Sequence, residues 1–319
     1  MNALRKNLHR CMEFSGADAL IDADRVNCWI ERRRSPKVAG GGDANTLIKQ
    51  LIEAGKPAAI GKIGSSECWT LAWHLGLKRF YKYTWVPPSF GELDLAEQSG
   101  VFPNSPEMFH QFAAAYLDKL PLLDMCAVWF NPGESEILQR LCPDAKRIPL
   151  KALDPFFFSR PWSSALKGKK VVVIHPFEET IRNQYARRRE IWRGTASVLP
   201  EFELRTIRAP YGFSRNDFAD WLGMLRWLEN ELERCRDTEG FDVALIGCGA
   251  AGIPLAARAK ELGGIGIHLG GSLQLLFGIR GKRWDVRPEY QPFFNDAWSR
   301  ASATETPKEA VKVDHGGYW

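Results

Sequence analysis

Apolar positions follow two periods by turns along the chain, and their succession predicts helices alternating with strands. Leu47, Ile48, Leu51 and Ile52 share one face of a helix over residues 44–54. Ala58 to Gly64 reads as a first strand, and Ser65-Ser66-Glu67 then opens a helix with a capping residue and an acid in its first turn. Met125 to Phe130 reads as a strand that runs into the turn Asn131-Pro132-Gly133-Glu134, and Arg147 to Leu150 as a short strand. Lys170 to Ile174 (KVVVI) is an apolar run of buried-strand type, ending in His175-Pro176-Phe177. Helices are predicted over 105–119, 178–192 and 214–236, with a strand over 203–208. Two further strands, one just before Gly247 and one at Ile265 to Leu269, each end in a glycine turn followed by a helix. Such alternation predicts an α/β fold, with a mostly parallel sheet and helices on both faces.

Residues 1–42 read as a helical N-terminal arm ending in the loop Val38-Ala39-Gly40-Gly41-Gly42. Residues 43–300 read as a single α/β catalytic domain, and 301–319 as a polar tail whose closing Tyr318-Trp319 suggests docking. There is no internal repeat. Residues 80–104 are rich in aromatics, Pro and Gly and long for a structureless loop, which suggests a lid or an acceptor-facing insertion.

Composition narrows the classes. With 319 residues, 45% hydrophobic and 25% charged, the chain is an ordinary globular one with ample core. A net charge of +5 suits acidic or phosphorylated ligands or an anionic membrane surface. Without a long Lys/Arg run or a recognition motif, nucleic acid is not expected as a partner. Arg32-Arg33-Arg34 and Arg187-Arg188-Arg189 read as solvated helix faces. Seven Cys, scattered, odd in number and without C-x-x-C, favour free thiols in a reducing compartment. MNALRKNLHRCMEF lacks the apolar core of a signal peptide, and no run reaches the ~18 apolar residues of a membrane helix. The expected location is cytoplasmic, with a peripheral membrane contact left open. Twelve Trp is a high count; core packing accounts for most, and some suit a sugar site.

In a parallel sheet, ligands gather at the carboxyl ends of strands. Four such ends carry chemistry: Gly64-Ser65-Ser66-Glu67; His175 followed by Arg182, Gln184, Tyr185 and Arg187; Gly247-Cys248-Gly249; and His268-Leu269-Gly270-Gly271-Ser272-Leu273-Gln274. Gly247, Gly249 and Gly252 spell G-x-G-x-x-G, which taken alone indicates a dinucleotide. The ribose-binding acid expected about 20 residues later is missing, because that strand ends in Leu269-Gly270-Gly271. Glycine turns before helices still favour phosphate of some other kind, and Arg280, Lys282 and Arg283 form a basic cluster suited to clamping a diphosphate. His175 and His268 are either structural or donors to a sugar hydroxyl or phosphate; neither has a partner at metal-ligand spacing. Asp22-Ala23-Asp24 is a D-x-D in the arm, and Glu134 and Glu136 read as first-turn helix acids.

Two blocks, Lys62-Ile63-Gly64-Ser65-Ser66-Glu67 and Gly247 to Gly271, resemble the bacterial GT-D type glycosyltransferases. That family carries Arg/Lys-x-Gly-Asp-x-Glu after its first strand and a late glycine block. The resemblance implies a Rossmann-like domain that transfers a sugar from a nucleotide-sugar donor to a glycan, lipid-linked glycan or protein acceptor, in surface glycan or glycoprotein assembly. It implies donor contacts from Lys62, Gly64, Ser65 and the late block, and a role for Glu67 on Mg²⁺ or Mn²⁺. Ser65 stands where the family has Asp. Either other residues supply metal ligands, or basic residues such as Arg182, Arg280, Lys282 and Arg283 replace the metal, or donor chemistry is lost. Glu67 is then a candidate base on the acceptor hydroxyl. The alternatives are an NAD(P) oxidoreductase and a non-catalytic nucleotide- or glycan-binding protein.

Overall fold

The computed structural model describes residues 23–77, 95–211 and 217–319. The chain order is α1 (Ala23–Arg34), α2 (Gly41–Ala54), β1 (Ala58–Lys62), α3 (Ser65–His74), α4 (Leu95–Ser99), α5 (Pro106–Lys119), β2 (Met125–Val128), α6 (Glu134–Leu141) and β3 (Lys146–Pro149). It continues with β4 (Lys170–His175), α7 (Glu178–Ala186), α8 (Arg188–Ile191), β5 (Glu203–Arg208), α9 (Trp221–Thr238), β6 (Val243–Ile246), α10 (Gly252–Glu261), β7 (Ile265–His268), α11 (Ser272–Leu276) and α12 (Lys282–Asp285). Every strand expected from the sequence is present.

The strands form one seven-stranded parallel sheet in the order β3-β2-β1-β7-β6-β4-β5. Burial on both faces explains the apolar runs of the five inner strands, while the edge strands β3 (KRIP) and β5 (ELRTIR) are mixed and only partly buried. Ile60, Val171, Val173, Leu245 and Ile267 enter one core, with Ile48 of α2, Ile181 of α7 and Leu275 of α11. Ala59, Val172, Ile174, Ala244 and Ile246 enter the other, with Leu71 of α3, Phe112 of α5, Leu228 of α9 and Leu255 of α10. Each large aliphatic side chain so buried contributes about 1.5–3 kcal/mol over an exposed one.

This distribution sets the site. The connections after β1 and β6 pass to one face, and those after β4 and β7 to the other. Since β1 neighbours β7, and β6 lies between β7 and β4, the loops diverge along the carboxyl edge of four central strands. A crevice opens where such connections part.

Two helices differ from the sequence pattern. The one expected over 178–192 breaks at Arg187, whose φ of −101° and ψ of 14° leave the helical region; the turn lowers Ile191 and Trp192 into the core. The one expected from 214 begins at Trp221, where the Asp220 carboxylate caps the Gly223 N–H at 2.7 Å. Among the described residues no helix is long and apolar enough to cross a membrane. The six described cysteines are free thiols.

Arm and tail are tied to the sheet by buried acids. Glu31 of α1 accepts the Gly133 and Ser135 N–H groups at 3.2 and 2.9 Å, capping α6. Glu305 accepts the Glu179 and Thr180 N–H groups at 2.6 and 3.1 Å, capping α7. The tail is docked: Val313 and Trp319 belong to the core, and Gln274 Nε2 donates to the Tyr318 carbonyl at 3.0 Å. The division drawn at residue 300 therefore crosses continuous packing.

Candidate functional site

A cavity of about 410 Å³ occupies the crevice, within the size range of small-molecule and cofactor sites. Lys62, Gly64, Ser65 and Glu67 bound it after β1, His175 after β4, Gly247 and Gly249 after β6, and His268, Gly270, Gly271 and Gln274 after β7. Arg283 completes the set of expected residues that meet there.

Four other expected residues work elsewhere. Arg182 is exposed and pairs with Glu178 at 3.4 Å. The Tyr185 hydroxyl donates to the Phe202 carbonyl at 2.8 Å and accepts the Phe202 N–H at 2.7 Å, with the two rings stacked, so Tyr185 is a packing residue. Arg280 is held by Asp285 at 2.9 Å and lies over the Phe294 ring, so it clamps its own loop. Lys282 is exposed at the start of α12 and does not border the cavity. The basic cluster thus contributes one member, Arg283, whose Nη1 donates to the Tyr318 hydroxyl at 2.9 Å.

The G-x-G-x-x-G glycines make room for protein rather than cofactor. A Cβ on Gly247 would stand 2.7 Å from the His175 ring and 2.8 Å from the Gly270 carbonyl. On Gly249 (φ +59°) it would stand 2.6 Å from the Ser99 carbonyl oxygen. On Gly252, which lies outside the cavity lining, it would stand 2.0 Å from His268 Nδ1. In a dinucleotide site the second glycine admits the pyrophosphate; here an acceptor oxygen of α4 holds that place. Together with the missing ribose acid, this counts against the NAD(P) reading.

Several anion cradles along this edge also hold protein carboxylates. Glu67 folds back on the start of its own helix, so that a Cβ on Gly64 would collide with its carboxylate. Glu134 accepts the N–H groups of Trp129, Phe130 and Asn131 at 3.0, 2.5 and 3.2 Å, in a nest shaped by Phe130 at φ +61°. Burial pushes Glu134 up to about 8 against the pull of those donors. Glu136 pairs with Arg140 on the surface of α6.

The histidines are neutral. Burial lowers His175 to about 3, and its Nδ1 accepts the Phe177 N–H at 2.9 Å, so the proton sits on Nε2. Burial, then the nearby Lys62 charge, lower His268 to about 3.

Sequence reasoning missed Asp154. It lies in the LKALDPFFF stretch beyond the edge strand β3, is 9% exposed and lines the cavity. Burial raises its carboxyl to about 6, against the pull of the Ser272 hydroxyl and the Lys62 and Lys151 ammonium groups. A lone acid in an apolar run was the available signal. Also missed were Trp129, Tyr211, Tyr290 and Trp319, aromatic walls of the cavity that come from distant parts of the chain.

The donor set does not fit the Mg²⁺ or Mn²⁺ ion that the resemblance implies. Ser65 Oγ donates to Asn131 Oδ1 at 3.0 Å, and Ser66 Oγ donates to Glu67 Oε2 at 3.1 Å. The charge that both Glu67 and Asp154 act on is the Lys62 ammonium. Among the described residues no group of three or more His, Cys, Asp or Glu is placed to hold a metal ion. Asp22 of the D-x-D lies outside the described residues, as does most of the 80–104 segment; its described part brings Gln98, Ser99 and Gly100 to the cavity rim.

No protein-family model, curated protein or solved structure matches the chain.

Proposed function

We propose that the protein is a glycosyltransferase that binds a nucleotide-sugar donor in the crevice and transfers its sugar to a glycan, lipid-linked glycan or protein acceptor. One observation carries this reading: a single aromatic-walled cavity brings together three cationic side chains, Lys62, Arg283 and Arg287, and a buried carboxyl, Asp154, raised to about 6. Cations suit a diphosphate, aromatic faces suit a base and a sugar ring, and a carboxyl of that kind suits a general base.

In the reaction, the acceptor oxygen bonds to the anomeric carbon while the bond from that carbon to the donor phosphate oxygen breaks. The electron pair leaves with the nucleoside diphosphate, and the acceptor proton passes to a carboxylate. Lys62 and Arg283 are aimed at the charge that grows on the leaving group. Asp154 is the preferred base, because the Glu67 carboxylate is already engaged at the start of α3. His175 offers its Nε2–H to a hydroxyl or phosphate oxygen. The free thiols and the use of a sugar nucleotide favour the cytoplasm.

The test is thermal stabilisation by UDP, GDP, CMP and NADH, followed by release of nucleoside diphosphate from nucleotide-sugars. A ligand at about 100 times its Kd adds roughly 2.7 kcal/mol. Stabilisation by UDP or GDP with turnover supports the transferase. Stabilisation by NADH alone overturns it, and nucleotide binding without turnover on any acceptor reduces the protein to a binding module.

A further inference from the structure

Among the described residues, the cavity contains a cation without a hydrogen-bonding partner. Lys62 closes β1, where its backbone is paired beside Ala127 of β2. Its ammonium lies 4.6 Å from the centroid of the Trp129 ring. On its other side is the β7 turn, where a Cβ on Gly270 (φ +64°) would come within 2.9 Å of both Cε and Nζ. Glycine at 270 therefore supplies both the left-handed turn and the lane for the lysine. Among the described residues no hydrogen bond or ion pair reaches this ammonium, which lies over the Trp129 ring and beside the Gly270 backbone.

Longer-range charges hold it in place. Burial lowers its pKa, the Glu67 and Asp154 carboxylates raise it, and Arg283 lowers it. A charge coupled to two acids, lining a cavity and short of hydrogen-bond acceptors, is set up for an anion that supplies them. An ammonium has three donors and no acceptor, and is a compact point charge suited to phosphate oxygens. Away from bulk water its attraction is screened less than at the surface.

We propose that Lys62 is the resident counter-cation of the site, taking the place of a divalent metal, so that a nucleoside diphosphate binds this cavity without any metal ion. The proposal rests on the nucleotide-sugar reading above and specifies how its leaving group is neutralised. It also explains the unsuitability of Glu67 and Ser65 as metal ligands: both are hydrogen-bonded within the protein, and the positive charge comes from the lysine on which Glu67 and Asp154 act.

The experiment is titration calorimetry of the full chain with UDP and with inorganic pyrophosphate, in excess EDTA and again in excess Mn²⁺. The expected result is binding in EDTA with an affinity within about twofold of that in Mn²⁺, because no metal joins the complex. Lys62→Met, checked for folding by circular dichroism, is expected to weaken both probes by about tenfold or more, and Lys62→Arg to restore part of the loss. Binding that appears only with Mn²⁺, or a folded Lys62→Met that binds like wild type, overturns the proposal and leaves the nucleotide reading standing. Failure of any diphosphate to bind in either condition overturns both. If Lys62→Met does not fold, the EDTA and Mn²⁺ comparison on the wild-type chain decides alone.

Discussion

The imidazole of His268 fills the space above Gly252, so that a Cβ on this glycine would stand 2.0 Å from the ring Nδ1. Gly252 opens α10 beneath the end of β7, and its lack of a side chain is what lets a neutral ring lie buried there. An alanine in a helix is ordinarily better than glycine by roughly 0.5–1 kcal/mol. Here the sign reverses: Gly252→Ala is expected to destabilise the fold, and the same change in a His268→Ala background to be neutral or stabilising. Urea unfolding of the four chains gives the coupling, expected at about 1–3 kcal/mol. Additive effects would mean that the ring moves aside without cost.

The inner strands β1, β2, β4, β6 and β7 were legible because each carries an apolar run buried in the sheet, and the glycine turns because they interrupt those runs, whereas the edge strands β3 and β5 are mixed in sequence and only partly buried. What could not be read was which group each glycine admits. Gly249 faces the Ser99 carbonyl, from a helix that precedes it by 150 residues, and nothing in G-C-G-A-A-G distinguishes that oxygen from a pyrophosphate. Long-range capping was equally hidden. Glu31 acts on Ser135 across 104 residues and Glu305 on Thr180 across 125, so these helix starts are capped by acids that no local pattern announces. Asp154 left only the signal of a lone acid in an apolar run, and the aromatic walls none, because the cavity is assembled by topology from segments that carry no local motif.

Glu305 illustrates the energetic side. It is fully buried, its two oxygens take the Glu179 and Thr180 N–H groups and the Thr180 hydroxyl, and its carbonyl accepts Trp319 Nε1–H at 3.0 Å. Glu305→Ala leaves the start of α7 uncapped and loosens the segment that carries Trp319 into the cavity wall. The expected cost is about 2–3 kcal/mol in urea unfolding, with new protease cleavage between residues 301 and 319. Unchanged stability would show that water replaces the carboxylate at no loss.

Acid stability should follow the two buried histidines. Both are lowered to about 3 in the folded protein, against an ordinary value near 6.5. Between those values the unfolded chain binds protons that the folded one refuses, so their contribution is fully present above about 6.5 and is lost as pH falls toward 3. His175→Gln keeps an acceptor for the Phe177 N–H but has no proton to refuse. It should therefore show a shallower loss of stability than wild type between pH 6 and about 4. Parallel curves for the two chains would mean that His175 is protonated in the folded state.

Asp154 opposes stability to chemistry within one residue. Its carboxyl titrates near 6 when folded, against an ordinary 3.8. The folded state therefore holds its proton more tightly, and the penalty of ionising it grows as pH rises from about 3.8 to 6 and stays constant above. At roughly 1.4 kcal/mol per pH unit this amounts to about 3 kcal/mol at neutral pH, an upper figure because the neighbouring Ser272 and Lys62 also respond. Asp154→Asn should therefore be more stable than wild type at pH 7 and equal to it near pH 3.5. The same variant should lose transfer activity by about 100-fold or more. The wild-type rate should rise with pH through about 6 as the base ionises, and that limb should vanish in the variant's residual activity. A less stable, fully active Asp154→Asn would assign the residue to structure. A more stable variant that still binds UDP but does not turn over would show that the fold bears the cost of this buried charge for the sake of the reaction.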